Sequence, residues 1–229
     1  MAVRLSKTFV LRKLHQLTGI VPLGAFLLEH LYTNSKAVNP DWRLGERHFN
    51  EAVADLQNIP YILLVEVGLI FLPLLYHALY GLFITWEMRP NNLSYPYPRN
   101  WFYTVQRVTG IILFLFIIFH LLNFRFGAIP GLNETSVAHR PDRAYDIVSA
   151  EFQTWWILAV YFVGIVSTVW HFANGIWLFL VDWGILIGER AQRLTGYACI
   201  GFGALLLLLW FNVTAAFVWR NGGLLGGIL

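Results

Sequence analysis

An all-α fold, built as a polytopic bundle of five membrane-crossing helices, is what this sequence predicts, on three observations. First, 57% of its 229 residues are hydrophobic and only 13% are charged, against about 45–50% apolar and about 25% charged in an average soluble chain. Second, five stretches, roughly 14–34, 60–86, 103–125, 152–182 and 195–219, are largely apolar, each long enough to supply the about 20 residues that cross the hydrocarbon layer as a helix. Third, no run shows the strict alternation of a barrel strand, and backbone groups deprived of water leave the helix as the spanning structure. Ten Trp, ten Tyr and 18 Phe add to the affinity for lipid and its interfaces. A soluble enzyme, a disordered chain and a disulfide-built scaffold are thereby excluded; the lone Cys199 can form no internal bridge.

The elements follow in order. The stretch 14–34 carries Glu29 and His30 and lacks a small-residue cleavage site, so it reads as a retained span and not a signal peptide. Asn39-Pro40-Asp41 opens the next segment as a helix start with Pro in the first turn. Trp42, Phe49, Val53 and Leu56 then recur near helical spacing, which predicts an amphipathic helix over about 40–57, lying on the membrane surface. Pro22 and Pro73 fall inside spans, where neighbouring helices tolerate them. The polar segment 126–151, with Gly127, Pro130, Gly131 and Pro141, reads as a loop with one short helix. The fourth span is long enough to tilt or to leave the bilayer. The whole of 1–229 reads as one transmembrane domain.

The net charge of +3 does not signal nucleic acid, because Lys and Arg stand at the ends of apolar runs, where they orient a membrane protein. With the N-terminus inside, nine of them, including Arg4, Lys13, Arg107 and Arg193, fall on the inner side, and seven, including Arg43, Arg125 and Arg220, on the outer. The inner segments are the shorter ones. This predicts a cytoplasmic N-terminus in a bacterial inner membrane.

Seven His are present, and four lie one each in spans one to four: His30, His77, His120 and His171. Successive spans run in opposite directions. Measured from span midpoints near 24, 73, 114 and 167, His30 and His120 share the outer half while His77 and His171 share the inner half. At 1.5 Å per residue the two levels are roughly 15 Å apart. A neutral imidazole enters hydrocarbon without a charge and is a good iron ligand, and an iron held by two His suits electron transfer. Two pairs at two depths predict two haems b in the bundle interior. A single intramembrane His is more often a packing residue; four, matched by depth, are not easily explained that way.

An internal echo accompanies them. Gln16-Leu17-Thr18-Gly19, Arg107-Val108-Thr109-Gly110 and Arg193-Leu194-Thr195-Gly196 open spans one, three and five, and His follows the Gly by eleven and ten residues in the first two. Tyr76-His77 with Gly81, and Trp170-His171 with Gly175, repeat in spans two and four. A Gly four residues past the His lies on the same helix face and leaves room for a flat macrocycle or a neighbouring backbone.

The residues from Arg12-Lys13-Leu14-His15-Gln16 to Glu29-His30-Leu31, and from Phe49-Asn50-Glu51 to Tyr76-His77, resemble the cytochrome b membrane anchor of succinate:quinone oxidoreductase and fumarate reductase. The branch in question has one large anchor subunit, five helices and two haems b, and the resemblance runs over nearly the whole chain. It implies that His77 and His171 hold a proximal haem near the cytoplasmic soluble subunits, and that His30 and His120 hold a distal one. It implies a flavoprotein (FAD) and an iron–sulfur partner, a quinone as electron acceptor, and assembly into a heterotrimer that can form higher oligomers. His15 and His48 match positions where relatives carry non-ligating His; His15 could meet a haem propionate or quinone. His139 reads as solvated.

The chain has no Gly-rich dinucleotide motif and no Cys cluster, so succinate chemistry lies in another subunit. Quinone reduction needs protons, and intramembrane carboxylates usually mark function or a buried partner. Glu66, eleven residues before His77, is the first candidate for proton handling beside menaquinone in the outer half, and Glu29, adjacent to His30, the second. The inner end, near Arg12, His15 and Arg107, is a competing quinone location. Arg107 and Arg193 could pair with haem propionates or simply anchor inner helix ends. The alternatives are a dihaem b subunit of a hydrogenase or formate dehydrogenase, and a haem-free transporter or assembly protein.

Overall fold

A computed structural model describes residues 6–129, 132 and 136–219. Arg4, Pro130, Gly131 and Arg220 lie outside the described residues. Ser6 starts α1 (Lys7–Ile20) as an N-cap, its hydroxyl accepting from Phe9 N at 3.2 Å. Helix α2 (Pro22–Ser35) follows after the single residue Val21. The expected first span is therefore two fourteen-residue helices and not one. Pro22 has no N–H to donate to the preceding turn, yet Val21 N still bonds Leu17 O at 2.9 Å and Ala25 N bonds Val21 O at 3.2 Å, so the ladder resumes at once.

Helix α3 (Trp42–Gln57) is the expected amphipathic helix, burying Gly45, Phe49 and Val53 on one face. Its N-cap is Asp41, which accepts from Arg43 N at 3.0 Å. Pro40 thus precedes the helix and is not in its first turn: the Asp41 side chain satisfies the end N–H that a Pro there would merely have removed.

Among the described residues, four helices are each long and apolar enough to cross a membrane: α4 (Ile62–Trp86), α5 (Pro98–Arg125), α7 (Trp155–Asp182) and α8 (Glu189–Trp219). Helix α6 (Ala144–Phe152), entered through a 3-10 turn at Pro141–Arg143, is the short helix of the polar segment. Helix α4 carries a π-helical stretch at Glu66–Phe71, ending just before Pro73. A residue without an N–H leaves a carbonyl unpaired in the preceding turn, and widening that turn is one way to re-pair it; Leu72 N reaches back to Val67 O. Large apolar side chains such as Leu64, Leu69, Leu72, Leu75 and Leu79 are exposed along α4, as lipid-facing side chains are. The chain is an all-helical, multi-pass membrane protein.

The chain divides into two compact units. The first comprises 1–26, 64–111 and 168–203. Here Tyr76 donates to Leu11 O at 2.8 Å, tying α4 to α1, and Asn174 Nδ2 donates to Gln106 Oε1 at 2.7 Å, tying α7 to α5. Arg12 pairs with Glu87 at 3.1 Å, Lys13 donates to Asp182 O, and Trp183 Nε1 donates to Gln16 Oε1 at 3.1 Å. The second comprises 27–63, 112–167 and 204–229. Its core is aromatic: Phe49, Tyr145 and Phe217 are buried, with Phe217 5.1 Å from Phe49 and 5.2 Å from Tyr145 by ring centres. Asn50 secures this core, accepting from Tyr145 N at 2.8 Å and donating to Asp142 O at 2.9 Å.

Candidate functional site

Each unit brings two of the four span histidines together. In the first, His77 of α4 and His171 of α7 lie with ring centres 6.3 Å apart and planes at 82°. In the second, His30 of α2 and His120 of α5 are 5.7 Å apart, also at 82°. Two imidazoles bound on opposite sides of one metal, with bonds of about 2 Å and about 1.1 Å from nitrogen to ring centre, put the ring centres roughly 6 Å apart. Both separations are therefore those at which two imidazoles would hold one haem iron. Among the described residues no group of three or more His, Cys, Asp or Glu is placed to hold a bare metal ion.

Tautomers follow from the partners. His77 Nδ1 is 2.9 Å from His15 O and His171 Nδ1 is 3.1 Å from Gln106 O. A carbonyl only accepts, so in both rings Nδ1 carries the proton and Nε2 keeps the lone pair a metal needs. Gln106 also donates through Nε2 to His171 O at 3.0 Å, so one side chain and its own carbonyl grip the same turn of α7. His120 Nδ1 meets the Tyr161 hydroxyl at 3.0 Å. Asn34 Nδ2 donates to His30 O at 2.7 Å, and Trp210 stands 5.8 Å from the His30 ring.

His15 belongs to the first unit and stacks on His77, centres 4.1 Å apart and planes within 12°. Lone pairs lie in the ring plane, so two stacked imidazoles cannot both point at a metal between them; His15 backs His77 while His171 faces it. Gly81 gives His15 its space, since a Cβ there would lie 3.1 Å from the His15 ring, whereas Gly175 faces Gln106 at 3.7 Å. Gly81 thus makes room for the His15 ring, whereas a Cβ at Gly175 would meet Gln106 only at ordinary contact.

Arg107 lies over the Tyr103 ring at 3.4 Å and donates to Tyr103 O at 3.0 Å, yet its Nε is buried without a hydrogen-bond partner. A half-buried guanidinium whose Nε is an unused donor fits an anionic propionate. Trp170 Nε1, beside His171, is a second buried donor without a partner. Arg193 is exposed, as are His48 and His139. Glu29 accepts from Thr33, one turn on. Glu66 is half-buried and opens the π-helical stretch of α4.

The second unit also holds Glu151, 6% exposed, which accepts from Asn123 Nδ2 at 3.4 Å. Burial raises its carboxyl above the ordinary value, and the Asn123 bond partly offsets this. Gln106, Tyr161 and Asn123 were not singled out in the sequence. Gln106 immediately precedes the second copy of the Thr-Gly echo, whereas Tyr161 is one aromatic residue among many in its span and carries no distinguishing signal.

The Succinate dehydrogenase/Fumarate reductase transmembrane subunit family matches residues 93–211. The chain is also 35% identical over 213 residues to the succinate dehydrogenase cytochrome b558 subunit of Bacillus subtilis (strain 168), covering 93% of this chain and 98% of that relative. With one His pair in each unit, and a likeness that runs from end to end, the chain belongs to the succinate dehydrogenase/fumarate reductase transmembrane subunit family.

Proposed function

We propose that this chain is the membrane anchor and electron-carrying subunit of a succinate dehydrogenase or fumarate reductase, working between an iron–sulfur subunit and a quinone. The observation that carries the reading is the double one of His77 with His171 and His30 with His120, each pair at metal-spanning separation. Bound haem b supplies a one-electron iron centre at each pair. His77 and His171 present Nε2 to it with the proton parked on Nδ1, and Arg107 offers its unused donor to a propionate. A haem held by two imidazoles would supply electron transfer and not oxygen chemistry.

The finer reading has five membrane spans, with α1 and α2 together forming the first, in one domain that encloses two haems. The N-terminus lies on the cytoplasmic side of a bacterial inner membrane, where the flavoprotein and iron–sulfur partners dock. Glu66 handles protons for menaquinone, with Glu29 in reserve. The half-buried placement of Glu66 in a π-helical stretch supports this, because such stretches recur at functional sites.

The test is the purified chain itself. Reduced-minus-oxidised absorbance and pyridine haemochrome analysis are expected to give two haems b per chain, with two low-spin bis-imidazole signals by electron paramagnetic resonance. A colourless preparation, or a high-spin haem that binds carbon monoxide readily, would overturn the reading. Co-purification with a flavoprotein and an iron–sulfur subunit tests the anchor role separately.

A further inference from the structure

The Thr-Gly echo has one spatial role in all three copies. In each, the backbone carbonyl four residues before the Gly accepts a ring N–H from a facing helix, and in the two copies that meet a His the Gly clears the approach. On α1, His15 O accepts from His77 Nδ1 at 2.9 Å, and a Cβ on Gly19 would lie 2.5 Å from His77 Cε1. On α5, Gln106 O accepts from His171 Nδ1 at 3.1 Å, and a Cβ on Gly110 would lie 3.2 Å from His171 Cε1. On α8, Gln192 O accepts from Trp177 Nε1 at 2.8 Å, but a Cβ on Gly196 would lie 3.5 Å from that nitrogen, an ordinary contact that the ring would tolerate. In the two copies that receive a His, the Thr of the same turn also reaches the shared carbonyl: Thr18 donates to His15 O at 2.9 Å, while the Thr109 hydroxyl lies 3.1 Å from Gln106 O but closer, 2.7 Å, to Val105 O, and 3.3 Å from His171 Nδ1.

We propose that the turns 15–19 and 106–110 are positioning devices for the His77 and His171 iron ligands, setting how strongly each imidazole donates, while the turn 192–196 is a third copy that anchors Trp177 and touches no ligand. The proposal rests on the two-His reading above. A carbonyl oxygen already used once by its own helix has a second lone pair, and a ring can reach it only where no Cβ intervenes. An accepting partner on Nδ1 raises the basicity of Nε2, and stronger donation stabilises ferric over ferrous iron. The Thr18 hydroxyl draws on the same oxygen as His77 and weakens that effect. The His30–His120 pair is built differently: the Tyr161 hydroxyl at His120 can donate as well as accept.

The test is redox titration and low-temperature electron paramagnetic resonance of the haem-loaded protein, with three variants. Gly19→Ala is expected to shift one low-spin signal and move one midpoint to more positive potential, leaving the other haem unchanged. Thr18→Val, which removes the hydroxyl that competes with the ring for that carbonyl, is expected to move the same midpoint to more negative potential. Gly196→Ala is expected to leave both haems as in the wild type. Unchanged midpoints and signals in both Gly19→Ala and Thr18→Val overturn the proposal, as does a Gly196→Ala shift equal to that of Gly19→Ala. Should Gly19→Ala fail to assemble, the sign of the Thr18→Val shift decides alone, and no shift overturns it. Wild-type protein without two low-spin haems would sink the two-His reading itself; two normal haems with insensitive variants would sink only the positioning role.

Discussion

Deleting one hydroxyl in the second unit is expected to loosen one haem and spare the other. Tyr161 is 4% exposed, and its hydroxyl lies 3.0 Å from His120 Nδ1 and also bonds the Asn123 side chain. In Tyr161→Phe the ring keeps its neighbours, Phe152 at 4.9 Å, Phe116 at 5.2 Å and Phe124 at 5.7 Å, so the loss is confined to hydrogen bonds. Stranding a buried polar atom costs about 1–3 kcal/mol. At about 1.4 kcal/mol per decade this weakens haem retention roughly 5- to 150-fold, in the range of about 10- to 100-fold that lost outer-shell partners cost metal sites. The assay is transfer to an excess of a haem-scavenging protein, followed spectrally. Half of the haem is expected to leave faster by that factor and half at the wild-type rate. Release of both halves at the wild-type rate, or equal acceleration of both, would refute the reasoning.

The other predictions concern separate parts of the molecule. His77→Ala or His171→Ala is expected to halve the haem-to-protein ratio while retaining the His30–His120 haem, as pyridine haemochrome assays would read; loss of both haems would contradict the pairing. Asn50→Ala removes the bonds to Tyr145 N and Asp142 O, and is expected to cost about 1–3 kcal/mol of stability, seen as a lower midpoint of thermal unfolding in detergent. Glu151 has a carboxyl raised by burial, so the folded state holds its proton more tightly than the unfolded one. Its contribution is fully present below the ordinary carboxyl value and is lost as pH rises through the raised one; Glu151→Gln is expected to flatten that decline in unfolding curves taken across the acid range. Glu66→Gln is expected to slow quinone turnover while both haems remain, and normal turnover would count against its proton-handling role.

The helical architecture was largely written in the hydropathy, because a span needs only length and apolarity. The pairing of His30 with His120, and of His77 with His171, was legible from depth, since antiparallel spans convert sequence offset into level. What escaped depends on geometry that residue types do not carry. The break at Val21 turns on how the ladder recovers around Pro22, and the start of α3 on which of two adjacent residues caps it. The Thr-Gly echo was visible as a repeat, but its acceptors are main-chain carbonyls, and a main-chain atom leaves no signature in composition. His15 stacking on His77 could not be read either, because its position marks only a helix near an interface.

The widened turn at Glu66–Phe71 has a bearing on how α4 is wired. In an unbroken helix, residues eleven apart fall about three full turns apart and nearly eclipse one another, so Glu66 would project from the same stripe as His77. One extra residue accommodated in the winding swings everything upstream by roughly a quarter turn about the axis. The carboxylate and the imidazole are thereby issued to different azimuths of one rod, and acid chemistry can be served on one side without presenting a negative charge to the ring on the other. Restoring ordinary α-winding through 66–71 with every residue kept would undo that offset and bring the two groups back onto one stripe.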